Sequence, residues 1–201
     1  MKTVAALGVL AAIAAGALGT RASGVWGPDR GDREAIRPPR LSSGALVLGG
    51  KILPDRGIEG SACERLAGLA ARLGQETIDP TAFIRRLGRE AAGIDTGARA
   101  LLDLARGGTD VLIGGGFRGP FSDGTAGQAR HFAGIAVAAS YGGADSTRAL
   151  SIFVRRDPAN SADGRLTDEA IAFERALHRH QLPTAAAGAW ILGRICRRSG
   201  A

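Results

Sequence analysis

Aromatic side chains are scarce in this chain of 201 residues: six Phe, two Trp and one Tyr, 4% in all. Readers of single-stranded nucleic acid stack bases on aromatics, so the shortage argues against a nucleic-acid partner despite the formal charge of +7. Lysine is scarcer still, with only Lys2 and Lys51 beside 24 Arg. The charge therefore comes from arginines scattered over every segment of an Ala- and Gly-rich chain, a compositional bias that implies no more than weak attraction to anionic surfaces. Several motifs are missing as well. There is no phosphate loop with a Lys, no G-x-S-x-G nucleophile elbow, no H-E-x-x-H and no EF-hand spacing, so no cofactor and no metal are expected.

Charge is also absent from Val4 to Gly19, and this run says most about destination. Lys2 precedes it, and small residues follow at Ala15-Gly16-Ala17 and Thr20-Arg21-Ala22, the pattern of a secretory signal cleaved after Ala22. Sixteen residues fall short of the roughly 20 needed to cross a bilayer, so no membrane span is expected once residues 1–22 are removed. That removal takes Lys2 and Arg21 and no acid, leaving 24 basic against 19 acidic groups. Only two cysteines are present. In an oxidising compartment Cys63 and Cys196 are most simply one disulfide, tying the first helix of the fold to the last.

Residues 23–43, with Pro28, Pro38 and Pro39, read as an irregular arm. Residues 44–201 read as one domain, in which Ala45–Leu53 suits a small hairpin and the rest is helical. Ser61 and Glu64 form a capping box for a helix over 62–73 that Gly74 ends. Asp79-Pro80 starts a second helix with Phe83, Leu87 and Ala91 on one face. Asp95 or Thr96 opens a third, stopped by Gly107-Gly108. Thr125 and Gln128 suggest another capping box, for a helix carrying Phe132, Ile135 and Ala139 to about Tyr141. Further helices are expected over 145–155, from Thr167 through Leu177, and from Thr184 to Cys196. The predicted architecture is all-α: a compact bundle of six or seven short helices with one disulfide.

The densest cluster of chemical groups is Gly114–His131. A glycine-rich loop entering a helix offers free N–H groups at the positive end of the dipole, so Gly115 and Gly116, with Arg118 and Arg130, suit an anion. His131 suits a general base, with Asp123 or Asp110 folding back to fix its tautomer. Elsewhere, His178 and His180 point some 200° apart on a continuous helix and cannot share a metal. His178, four residues after Glu174, reads as a surface pair, and His180 continues the Phe173–Leu177 face. Glu64, Glu90, Glu169 and Glu174 have the chemistry of glycosidase acids, but sequence gives no pairing across a bond. The leading expectation is an exported binding or interaction module of the cell envelope or exterior, its partner an anionic envelope component or another protein. The alternative is a hydrolase of an envelope polymer or anionic substrate, working at Gly114–His131.

Overall fold

The computed structural model describes residues 60–152 and 158–197. The expected signal, arm and hairpin lie outside the described residues. Among those described, helices α1 (Ala62–Glu76), α2 (Pro80–Ala92), α3 (Ala98–Arg106), α4 (Gln128–Gly142), α5 (Ala144–Leu150), α6 (Ala162–His178) and α7 (Ala187–Arg194) follow in order. Among the described residues, two 3₁₀ turns, Gly119–Phe121 and Thr184–Ala186, lie in the connections. The only extended pairing among the described residues is an antiparallel bridge between Phe117 and Cys196. The all-α bundle is as expected.

Local chemistry explains most of the boundaries. Ser61 Oγ accepts the Glu64 N–H while Glu64 Oε2 accepts the Ser61 N–H at 2.9 Å, the expected capping box. Asp79 caps α2 through the Ala82 N–H, with Pro80 at the first helical position, and left-handed Gly93 and Gly107 end α2 and α3. α1, however, does not stop at Gly74. A Cβ there would lie 2.0 Å from the Thr184 carbonyl oxygen, so this glycine is set by the approach of the Thr184–Ala186 turn, and the helix runs on to Glu76. Thr96 is not a cap either, since α3 begins after Gly97. The Thr125–Gln128 box does not form: the Gln128 amide donates to Asp123 Oδ1 and Thr125 Oγ1 instead, and α4 starts after Gly127 with no side-chain cap. Thr167 lies inside α6, because Ser161 caps that helix six residues earlier through the Gly164 N–H.

α4 is the axis of the bundle. It is buried almost all round and packs against both α2 and α6, while α1 lies along α7. Four of the aromatics, Phe83, Phe132, Phe173 and Trp190, meet where these layers come together. Phe173 on α6 has ring centroids at 6.3 Å from Phe83, 5.3 Å from Phe132 and 5.1 Å from Trp190, so one side chain joins α2, α4, α6 and α7. Truncating it to Ala would remove roughly 3–5 kcal/mol. On the surface, Arg72, Glu76, Arg86 and Glu90 form an ion-pair network that ties α1 to α2. Cys63 and Cys196 form the expected disulfide, linking the first turn of α1 to the residues just after α7.

Candidate functional site

The glycine-rich segment is part of the disulfide's surroundings. The Gly115 carbonyl accepts the Cys63 N–H at 3.2 Å, and the Gly116 carbonyl accepts the Arg197 N–H at 2.7 Å. Gly116 has φ +94°, and a Cβ on it would meet Ser61 Oγ at 2.1 Å, so the loop passes directly over the α1 cap. Gly114, Gly116 and Gly119 do carry the G-x-G-x-x-G spacing, but the segment follows a bend and leads into a single 3₁₀ turn. The strand-to-helix context that puts a pyrophosphate on a helix start is missing.

The two arginines of this segment go to different partners. Arg118 Nε donates to the Cys196 carbonyl at 3.1 Å and its terminal nitrogen to the Gly193 carbonyl, which satisfies the C-terminal end of α7. Arg130 pairs with Asp110 at 3.1 Å. Asp123 Oδ1 accepts from the Thr125 N–H and hydroxyl, both at 2.8 Å, as well as from Gln128. The two carboxylates suggested as orienters of His131 are thus held in an ion pair and in a turn.

His131 itself is 5% exposed. Its Nε2 lies 2.8 Å from Thr167 Oγ1 and 3.1 Å from the Asp163 carbonyl, and Thr167 Oγ1 lies 3.2 Å from Ser151 Oγ. Thr167 and Ser151 are fully buried. This polar trio stitches α4, α6 and the end of α5 together inside the core. Such groups are retained in an apolar interior only when hydrogen-bonded, and here they specify how three helices register.

A second histidine has the opposite setting. α6 ends at His178, and the next residues turn so that His180 adopts a left-handed φ of +55° instead of continuing the helix face. His178 Nδ1 lies 2.8 Å from Glu174 Oε1, and its Nε2 lies 3.3 Å from the Thr81 hydroxyl in the first turn of α2. With the proton on Nδ1 donating to the carboxylate, Nε2 is left to accept from Thr81. The Glu174 side chain is only 10% exposed, against 36% for His178. Burial pushes the Glu174 carboxyl up from its usual range, while the charges of His178 and Arg175 oppose that shift.

Beside this chain of contacts lies an open groove of about 440 Å³ lined by Ile78, Pro80, Leu177, His180, Leu182 and Thr184, among others. Pro80 and Leu177 directly precede Thr81 and His178, so the groove wall and the Glu174–His178–Thr81 chain share their backbone. Ile78 is 90% exposed at its edge. The Glu174–His178 spacing was visible in sequence. Thr81, 97 residues from His178, carried no signal that could place it there. Among the described residues, no group of three His, Cys, Asp or Glu could hold a metal ion, and no helix is long and apolar enough to cross a membrane. Comparison with family models, with curated proteins and with solved structures finds no match.

Proposed function

We propose that the protein is an exported, disulfide-tied helical binding module whose ligand site is the groove between the α1–α2 turn and the end of α6. The occupant that suits this groove is a small molecule presenting a short, uncharged apolar group. The observation that carries the reading is the groove's size and lining: about 440 Å³, walled by Ile78, Pro80, Leu177 and Leu182. That falls within the range of small-ligand pockets, which are mostly apolar with a few placed polar groups. Ile78 stands at the groove's edge, 90% exposed, where an occupant would cover it. Export is supported by the signal-like N-terminus and by a disulfide, a bond characteristic of oxidising compartments.

The alternative hydrolase at Gly114–His131 has less behind it. Arg118, Arg130, Asp123 and His131 each already hold an internal partner, so an incoming substrate would have to displace bonds that support the fold.

Two measurements test the reading. Expression of the full chain in a secreting host is expected to yield a protein beginning at Ser23, whose mass rises by two hydrogens on reduction. Retention of Met1 together with two free thiols would overturn export. Titration with an environment-sensitive apolar dye is expected to show saturable binding that weakens at least about tenfold in Ile78→Asp, the scale of roughly 1.4 kcal/mol for one lost apolar contact surface. Equal binding by the variant would remove the groove from consideration.

A further inference from the structure

We propose that Thr81, His178 and Glu174 form a hydrolytic relay that cleaves small neutral acyl esters, with the acyl group seated in the groove beside Ile78 and Leu182. This rests on the groove being the ligand site and goes on to what happens to the ligand there.

The geometry has the three parts that nucleophilic acyl transfer needs. A hydroxyl lies within reach of an imidazole nitrogen, at 3.3 Å from Thr81 Oγ1 to His178 Nε2. The other ring nitrogen is held by a carboxylate at 2.8 Å, which fixes the tautomer with Nε2 free to take a proton. The 3.3 Å separation is the looser spacing found before substrate tightens such contacts. An ordinary i,i+4 surface pair accounts for Glu174 and His178. It accounts neither for the burial of the Glu174 side chain nor for the convergence of a hydroxyl from another helix on the remaining ring nitrogen. The third part is the position of Thr81 as the second residue of α2, where its N–H has no partner in the preceding turn and lies at the positive end of the helix dipole. Asp79 already occupies the Ala82 N–H, so the donor left for a developing oxyanion is that of Thr81.

The reaction balances without a further reagent. Thr81 Oγ attacks the ester carbonyl carbon as its proton passes to His178 Nε2. The new C–O bond forms, the carbonyl oxygen takes the negative charge, and the bond to the leaving alcohol breaks as His178 returns the proton to it. Water then attacks the acylated Thr81 by the same route, His178 taking and returning one proton. The net change is ester plus water to acid plus alcohol. Thr81 and His178 touch the reacting atoms, and Glu174 is a positioning residue that orients the ring and stabilises the imidazolium. The apolar lining selects a short, uncharged acyl group.

The mature, oxidised protein would be treated with a fluorophosphonate probe and, separately, with 4-nitrophenyl butanoate, with dye binding in the groove measured in parallel. Labelling is expected at Thr81, as located by peptide mass spectrometry. It should disappear in Thr81→Val, persist in Thr81→Ser, and fall about 10²–10⁴-fold in His178→Gln, the range for loss of a general base. Glu174→Gln keeps an acceptor for Nδ1 but loses the charge, so it should lower the plateau rate and move the midpoint of the labelling–pH profile, which a merely structural role would leave in place. A wild type that binds the dye in the groove yet is neither labelled nor turns over the ester overturns the relay and leaves the groove reading standing. Labelling at another residue, or at equal rate in Thr81→Val, likewise overturns the relay. Absence of both labelling and dye binding overturns the two together. Thr81→Ser and an unchanged melting curve guard against a variant that merely fails to fold.

Discussion

His131 and His178 have the same ring and the same kind of neighbour, a threonine hydroxyl about 3 Å from Nε2, yet they belong to opposite parts of the molecule. His131 is closed into the core between α4 and α6, its Nε2 shared by Thr167 and the Asp163 carbonyl. His178 stands at the open end of α6, with a carboxylate behind it and a groove beside it. A buried histidine with fixed partners can hold helices in register. An accessible one oriented by a carboxylate can exchange a proton. Residue type and spacing do not separate these cases, because what distinguishes them is which helix end is left uncovered.

The largest expected effect concerns the scaffold both histidines share. Cys63 and Cys196 close a loop with a separation of 133 residues, for which the chain-entropy model gives about 5 kcal/mol of stabilisation. Replacing both by Ser should lower the urea midpoint sharply. It should also disturb the groove, whose Thr184 wall packs on α1 close to Gly74. A loss below about 1 kcal/mol would mean that the helices hold without the bond, and that the Gly114–Gly116 loop and Arg118 carry that end of the fold unaided.

Next in size is the contrast itself. His131→Leu removes the ring's hydrogen bonds to the Thr167 hydroxyl and the Asp163 carbonyl, while Thr167 keeps Ser151, so the cost should be roughly 1–2 kcal/mol. His178→Gln, at a partly exposed position, should cost under about 1 kcal/mol. Chemical denaturation of the two variants side by side checks this. Equal losses would break the distinction between a structural and an accessible histidine. If Thr167→Val, close in shape, costs much less than His131→Leu, then the ring's packing matters more than its hydrogen bond.

The sequence made some of this legible. Ser61 with Glu64, and Asp79 with Pro80, mark helix starts through bonds made within four residues, and both formed as read. The Cys63–Cys196 pair followed from the number of cysteines together with the expectation of export. Two misreadings are local: the Gln128 amide goes to Asp123 in a turn and not to a capping box, and Thr167 is overtaken by Ser161, which caps α6 six residues earlier. Gly74 looked like a stop signal because the chain it makes room for, at Thr184, is 110 residues away. The site suffered the same way. Glu174 and His178 were readable as a pair on one helix, whereas Thr81 reached them only through the packing of α2 against α6.

The smallest expected effect sharpens the comparison by asking what the carboxylate behind His178 costs the fold. The Glu174 carboxyl lies above its usual value near 4.5 because burial disfavours its charge, with His178 and Arg175 offsetting part of that. A folded state that holds this proton more tightly than the unfolded chain loses stability as pH rises from about that value through the raised folded value, and above it the cost is constant. Glu76 has the opposite sign. Its hydrogen bond from Arg86 keeps the carboxyl below the usual range, so its contribution is present above pH 4.5 and is lost as pH falls through the lowered value. Stability measured against pH should therefore change slope in opposite senses in Glu174→Gln and Glu76→Gln. Salt should flatten only the Glu76 contribution, because that pair is exposed and screened while Glu174 is enclosed. If Glu174→Gln leaves the profile above pH 4.5 unchanged, its carboxylate is not held at a cost. It would then be an ordinary surface partner of His178, and the difference between the two histidines would shrink to one of exposure alone.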